Sequence, residues 1–168
     1  YGGAAIFGTI GGPAAVTAVV MNLDGLLDLA TANVFRNIIS VILQNGSQQL
    51  SPANYYSTGT GPCALVAFDH NQDGFADIVS VNRGSNNISV LLGNGAGALG
   101  SPANIAVGAL PDAIAAGDLN NDGLRDITVA NRLSSDVSVI LALTPGVFAP
   151  IVNYSAAPGL TSIAINDW

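Results

Sequence analysis

The sequence contains no glutamate and no lysine. Its eleven acidic residues are all aspartate and its four basic residues are all arginine, so its 168 residues carry a net charge of −7. Glu and Lys are among the best helix formers at exposed positions, and their absence argues against a helical protein. Twenty glycines, eight prolines and abundant Val, Ile, Thr, Asn and Ser favour strands joined by turns. The composition therefore predicts an all-β fold.

Three further shortages exclude classes of protein. Four arginines against eleven aspartates leave little positive charge to neutralise phosphates, so the balance argues against nucleic-acid binding. No apolar run reaches the roughly 18 residues that a transmembrane helix needs, so no membrane insertion is expected. Cys63 is the single cysteine, so no disulfide can form within the chain. With 49% hydrophobic residues, the chain nevertheless has enough apolar side chains for a packed core.

The sequence repeats itself at a step of 49 residues. The repeated positions carry Pro, Gly, Asp and Asn, and a Ser-Val pair follows them at the same step. The matching sets are Pro13, Pro62 and Pro111; Gly25, Gly74 and Gly123; Asp28, Asp77 and Asp126; and Asn33, Asn82 and Asn131. A fixed period of this length indicates a repeat architecture.

Each unit contains four short strand-like segments separated by turn residues. In the third unit we predict strands over 113–119, 126–131, 137–141 and 150–154, with a Thr144-Pro145-Gly146 turn before the last. Four strands in 40–50 residues are typical of a propeller blade. A parallel β-helix would have shorter coils, and a sandwich would not repeat so evenly. The sequence predicts β-propeller blades of four antiparallel strands.

The repeat also predicts the domain organisation. Three full blades occupy 13–61, 62–110 and 111–159, residues 1–12 form the fourth strand of a preceding blade, and 160–168 form the first strand of a following one. Propellers close with about 4–8 blades, and the chain holds only about 3.4 repeats. We therefore expect the propeller to be completed by further blades or by copies of the chain.

One loop in each unit has the residues of a cation site. Two loops read D-x-N-x-D-G-x-x-D, in which positions 1, 3, 5 and 9 offer side-chain oxygens and position 7 a carbonyl. An all-oxygen donor set suits Ca²⁺. The alternative is a metal-free Asx turn, since Asp, Asn and Gly favour turns by themselves. The predicted ligands are Asp69, Asn71, Asp73, Phe75 and Asp77 in one loop, and Asp118, Asn120, Asp122, Leu124 and Asp126 in the other.

The loop of the first unit departs from this pattern. Val20 stands where the other loops begin with Asp, so one ligand is missing and weaker binding is expected. The remaining candidates for this weaker metal site are Asn22, Asp24, Leu26 and Asp28.

These loops, together with the strand 77–82 and the stretch 90–95, resemble the FG-GAP/VCBS repeat family. That family includes the propeller of integrin α subunits and many bacterial surface proteins. The resemblance covers nearly the whole chain. It implies a β-propeller whose loops bind Ca²⁺, in an extracellular or cell-surface setting, and it implies no single activity.

The sequence leaves several functions open. We expect a secreted module for binding or adhesion, with a protein or carbohydrate ligand. The alternative is a structural subunit of an extracellular assembly or filament. An enzyme is disfavoured because one His, one Cys and no Glu or Lys form a poor set of catalytic groups.

A few single residues carry expectations of their own. His70, at position 2 of its loop, should point away from the cation and be solvated. Arg83 and Arg132 share a repeat position and are either a structural pair or ligand-facing. Sequons begin at Asn45, Asn87 and Asn153, and the sequence does not decide whether they are glycosylated.

Overall fold

The computed structural model of the chain describes residues 10–46 and 49–165, and its regular elements there are strands alone. In chain order they are β1 (Pro13–Val19), β2 (Asp28–Asn33), β3 (Ile38–Ile42), β4 (Asn54–Ser57), β5 (Pro62–Phe68), β6 (Asp77–Asn82), β7 (Asn87–Leu91), β8 (Ala103–Ala106), β9 (Pro111–Gly117), β10 (Asp126–Asn131), β11 (Asp136–Ile140), β12 (Ala142–Thr144), β13 (Val147–Phe148) and β14 (Val152–Ser155).

The strands form three antiparallel sheets of four strands each. The first sheet has the order β1-β2-β3-β4, the second β5-β6-β7-β8 and the third β9-β10-β11-β14. β12 and β13 form a separate hairpin around the predicted turn, where Gly146 has φ 77°. The predicted all-β class and four-stranded antiparallel units are confirmed, and the sheets fit propeller-like blades. The described part of the chain does not close into a ring.

The strand bounds differ from the sequence prediction by one or two residues. The first strand of the third sheet is Pro111–Gly117, not 113–119, because Asp118 and Leu119 already belong to the following loop. Residues 1–9 and 166–168 lie outside the described residues, and 160–165 contain no strand. The strands predicted at the two ends of the chain therefore stay predictions.

The first strand of each sheet carries a β-bulge just after its proline. The register shifts between Pro13 and Ala15, between Pro62 and Ala64, and between Pro111 and Ala113. A bulge leaves one extra residue outside the regular pairing and can re-aim its side chain. The bulged residues are Ala14, Cys63 and Asp112.

The sheets pack side by side through their first strands, with β1 beside β5 and β5 beside β9. The first intersheet core lies between the first and second sheets and contains Ala30, Ala32, Ile39, Val41, Ile78 and Leu91. The second lies between the second and third sheets and contains Val79, Val81, Ile88, Val90, Ile127 and Ile140. Each fully buried Ile or Leu in these cores contributes roughly 1.5–3 kcal/mol of hydrophobic free energy.

A buried polar pair recurs at the end of each sheet opposite the aspartate loops. The Asn82 side chain donates to the Ser89 hydroxyl at 2.7 Å, and Ser89 Oγ accepts the N–H of Gly59 from the preceding sheet at 3.0 Å. Asn131 and Ser138 repeat the arrangement. A Cβ on Gly59 would collide with the Asn82 and Asn87 side chains, so only glycine allows this close approach. The repeated Asn and Ser therefore join neighbouring sheets.

Candidate metal centre

The three aspartate loops all connect the first strand of a sheet to its second strand. We refer to residues 20–28, 69–77 and 118–126 as the first, second and third loops. Position 4 has a left-handed backbone in each, with φ of 62° at Leu23, 57° at Gln72 and 59° at Asn121. The glycines at position 6 are also left-handed, with φ between 77° and 88°. Two left-handed residues close together turn the chain sharply, so the side chains at positions 1, 3 and 5 meet.

In the second loop, the side chains of positions 1 and 3 both accept the backbone N–H of position 5, and the side chains of positions 3 and 5 bond to each other. Asp69 accepts the N–H of Asp73 at 3.1 Å and that of Gly74 at 2.8 Å. Asn71 Oδ1 accepts the Asp73 N–H at 3.2 Å, and its amide donates to Asp73 Oδ2 at 2.8 Å. Asp73 Oδ1 accepts the N–H of Phe75 at 2.9 Å. The structure thus places three of the five predicted ligands of this loop in one hydrogen-bonded turn.

The third loop repeats these contacts almost bond for bond. Asp118 accepts from Asp122 at 3.2 Å and from Gly123 at 2.8 Å, and Asn120 contacts Asp122 at 2.8 Å. The pKa of the Asp118 carboxyl lies below its ordinary value, chiefly because of the hydrogen bond from Gly123. This side chain is therefore held in the ionised form, which is the form that ligates metals.

The first loop retains the turn but lacks two of the contacts. Leu26 donates its N–H to Asp24 at 2.8 Å, and Asn22 donates to Asp24 at 3.0 Å, as in the other loops. Val20 offers no oxygen for the two N–H groups that Asp69 and Asp118 bind. The first loop therefore keeps its fold with a smaller set of oxygens.

The aspartate at position 9 has a role that the sequence did not reveal. Asp77 is buried, and its two oxygens accept the N–H of His70 at 2.9 Å and that of Gly93 at 2.7 Å. Burial raises the pKa of the Asp77 carboxyl, and these two hydrogen bonds oppose the rise. Asp28 and Asp126 make the equivalent pairs of bonds. Position 9 therefore ties the loop to the end of the third strand of its own sheet.

The donor chemistry of the second and third loops fits a hard cation. Each loop places two carboxylates and one amide oxygen within a single exposed turn. Asp77 and Asp126 still have unused lone pairs beyond the two N–H groups that each one accepts. These donor sets include the amide oxygens of Asn71 and Asn120. In the part of the chain that the structure describes, no group of three or more His, Cys, Asp or Glu side chains is placed so that it could hold a metal ion.

The expectation that His70 is solvated is wrong. Only 7% of this side chain is exposed. Its ring stacks on Phe148 of the β12–β13 hairpin, with centroids 4.1 Å apart, and meets Phe68 edge-on at 6.0 Å. Burial lowers the pKa of His70 below its ordinary value. The side chain at position 2 does point away from the loop, as expected, but it points into the packing between two sheets. Met21, at position 2 of the first loop, is likewise buried, in the first intersheet core.

Arg83 and Arg132 form a structural pair, which was one of the two alternatives for them. Both contact the buried carboxylate of Asp112, Arg83 Nε at 2.5 Å and Arg132 Nε at 2.8 Å. Arg83 belongs to the second sheet, whereas Asp112 and Arg132 belong to the third. This Asp112 ion triad therefore joins two sheets at the end opposite the aspartate loops.

Comparison with known proteins agrees with the repeat. The FG-GAP-like repeat matches residues 21–80 and 69–129, which together cover more than half of the chain. Each match begins at an aspartate loop and ends just after the next one, so the matched unit spans two neighbouring sheets. No curated protein matches the chain. Within residues 10–46 and 49–165, no helix is long and apolar enough to cross a membrane.

Proposed function

Because the chain belongs to the FG-GAP-like repeat family, we propose that it is a calcium-stabilised propeller module that works outside the cell in binding or adhesion. Its second and third loops would each hold one Ca²⁺. The ligands would be Asp69, Asn71, Asp73 and Asp77 with the Phe75 carbonyl, and Asp118, Asn120, Asp122 and Asp126 with the Leu124 carbonyl.

The observation that carries the proposal is the repeated hydrogen-bonded turn that holds the side chains of two aspartates and one asparagine. Asp69 and Asp73, like Asp118 and Asp122, are brought together by backbone hydrogen bonds, although their charges repel each other. A divalent cation would remove this repulsion and add direct bonds to oxygen. Ca²⁺ would here act on stability and not on a reaction.

The extracellular setting is what the family resemblance implies, and the affinity expected of such sites supports it. Extracellular calcium modules bind with dissociation constants of roughly 10⁻⁴–10⁻³ M. Loops that are largely exposed and draw on few carboxylates suit this weak range. Accessibility of the chain to a membrane-impermeant label on intact source cells tests the location directly, and exclusive labelling after lysis would contradict it.

Thermal unfolding tests the role of calcium. We expect the melting temperature of the 168-residue chain to rise in millimolar Ca²⁺ and to fall again with a chelator, because Ca²⁺ binds the folded loops better than the unfolded chain. A crystal grown with Ca²⁺ should show metal–oxygen distances of about 2.3–2.6 Å. A melting temperature that does not respond to Ca²⁺ would refute the calcium proposal without affecting the fold.

A structural assembly remains a second candidate, favoured by the two outer faces of the sheet array. Val16 is 63% exposed on the first sheet, whereas its repeat equivalent Ile114 is covered by the second sheet. On the third sheet Leu119 and Tyr154 are exposed, whereas the equivalent His70 and Ile105 are packed in the second intersheet core or line its edge. These faces are the two halves of one kind of interface, so further blades or copies of the chain could join them head to tail.

Light scattering separates the two candidates. A head-to-tail assembly predicts a mass that rises with concentration and falls when Leu119→Asp places a charge on one face. Leu133→Asp, at an exposed loop residue, is the matched control. A concentration-independent monomer would exclude self-assembly and leave the binding module. We propose no catalytic activity for either form.

A further inference from the structure

A cavity of about 180 Å³ opens at the edge of the second intersheet core. Its walls are mostly apolar. Val90, Leu92 and Ile105 come from the second unit, Phe148 from the β12–β13 hairpin of the third unit, and His70 from the second loop. A cavity of roughly 150 Å³ with apolar walls is large enough for one benzene ring. The volume therefore admits a single aromatic ring.

The interface between the first and second sheets shows which side chain occupies the equivalent place there. Ile105 corresponds to Tyr56 at the step of 49 residues, and Tyr56 packs against the first intersheet core, which includes Met21 and Leu99. The equivalence of the two places is structural as well, since the N–H of Gly97 donates to the Met21 carbonyl at 3.0 Å and that of Gly146 to the His70 carbonyl at 3.0 Å. The change from Tyr to Ile removes a phenol ring from the second interface.

Two further differences leave space on the same side. Ala103 and Ser101 line the cavity where the first interface has Asn54 and Pro52. Phe148, in place of Leu99, adds a flat ring to the opposite wall. The second interface thus offers an aromatic wall and a space from which a tyrosine side chain is missing.

His70 supplies a polar group in this otherwise apolar place. Its Nδ1 is buried and has no hydrogen-bond partner. The imidazole ring also lines the cavity, so it offers a polar contact to a ligand with a hydroxyl group. The stacking on Phe148 fixes the plane of the imidazole.

We propose that this cavity binds one para-substituted phenol ring, packed among Ile105, Val90 and Phe148, with its hydroxyl hydrogen-bonded to the His70 imidazole. The chemistry is that of p-cresol and equally of a tyrosine side chain. The proposal does not depend on calcium, because it rests on the intersheet packing and not on the oxygens of the loop.

Titration of the isotopically labelled 168-residue chain with p-cresol, followed by NMR, tests the proposal. We expect saturable shifts at His70, Gly146 and Phe148. Toluene, which lacks the hydroxyl, should bind about fivefold more weakly, as expected for the loss of one hydrogen bond. No saturable shift with p-cresol, or equal affinity for toluene and p-cresol, would overturn the proposal.

Variants locate the site. Ile105→Tyr restores the ring of the first interface and should weaken p-cresol binding at least tenfold. Ala106→Tyr adds the same ring to the exposed face of the same strand and should leave binding unchanged. If Ile105→Tyr does not fold, Ala103→Asn, which restores the Asn54 side chain, provides the same test. Unchanged affinity in a folded variant with the cavity filled would place the ligand elsewhere and refute the site.

A second ligand separates the two sources of the phenol ring. N-acetyltyrosinamide carries the same ring on a peptide backbone. Binding of both compounds would assign the cavity to a tyrosine of a protein partner, and binding of p-cresol alone would assign it to a free phenol. Either result supports the phenol site, whereas binding of neither excludes it.

Discussion

Gly146 donates its N–H to the carbonyl of His70 across the interface between the second and third sheets, at 3.0 Å. His70 lies between two predicted cation ligands, so this bond connects the second loop directly to the next sheet. Gly97 makes the same bond to Met21 of the first loop. The loops therefore take part in intersheet packing through position 2, in addition to tying together the strands of their own sheet through position 9.

Replacing Asp77 by Ala should destabilise the fold even without calcium. The change leaves the N–H groups of His70 and Gly93 without their acceptor in a buried place, and each such loss costs roughly 1–3 kcal/mol. Urea unfolding in a chelator should therefore show a loss of about 2–5 kcal/mol. Asp73→Ala under the same conditions is the control, because Asp73 is exposed and binds a single backbone N–H. Equal losses would contradict the special role of position 9.

Calcium-dependent stability should depend on the complete loops. Asp73→Ala should reduce the rise of the melting temperature in Ca²⁺ more than Asp24→Ala, because the first loop already lacks the oxygen of position 1. Scanning calorimetry with and without Ca²⁺ measures both. The same dependence in the two variants would show that the loops do not differ in affinity.

The first loop should gain a site when its missing ligand is restored. Val20→Asp places a carboxylate where Asp69 and Asp118 stand, and the backbone of this loop already has the same left-handed residues. We expect one additional Ca²⁺ per chain by equilibrium dialysis. Val20→Thr, which keeps the branched shape without a charge, should not change the stoichiometry. No additional ion in the Asp variant would show that position 1 does not limit binding there.

The Asp112 ion triad should contribute to stability through both arginines. The carboxylate is buried, but the arginine side chains are 43% and 44% exposed, so solvent screens each pair. We expect Asp112→Ala to cost about 1–2 kcal/mol in urea unfolding, with Arg125→Ala of the third loop as a surface control. A double-mutant cycle of Arg83 and Arg132 should show coupling, since both bind one carboxylate. Additive effects would contradict a shared partner.

Cys63 should react slowly in the folded chain. Its thiol is half-buried, and Sγ lies 3.5 Å from the carbonyl of Pro111. Burial raises the pKa of the Cys63 thiol above its ordinary value of 9.0. The raised pKa favours the folded state at pH values below 9.0, and this contribution is lost as pH rises through the folded-state pKa. A thiol reagent at pH 8 should label the unfolded chain much faster, and equal rates would contradict the burial.

The repeat made much of the fold predictable from the sequence. The step of 49 residues located the prolines, the loops and the Asn–Ser pairs, because each unit must bury the same faces against its neighbours. The contacts of Asp69, Asn71 and Asp73 followed from turn chemistry.

The remaining features depend on contacts between units, which one unit does not reveal. His70 was misjudged because its loop position suggested solvent, whereas the β12–β13 hairpin of the third unit covers it. Asp77 looked like one more ligand, although its equivalents in all three units, including the incomplete first loop, bind backbone N–H groups. The sequence did contain a signal for this role, because the first loop keeps the aspartate at position 9 although it has Val20 in place of the ligand at position 1. Asp112 stood outside the loops, and only the bulge explains why it faces two arginines.

The bulged residues have a consequence for how the repeats can be exchanged. Ala14, Cys63 and Asp112 occupy one position of the repeat with three different chemistries, and only Asp112 has arginines to bind. A duplicated or shuffled unit would keep its strands and loops but bring the wrong residue to this place. Moving the third unit beside the first would set Asp112 near Val34, where the repeat has no arginine, and leave its buried carboxylate paired with Arg132 alone. The contacts between sheets therefore depend on the order of the units along the chain, and an exchange of units would lose an ion pair even though each unit folds in the same way.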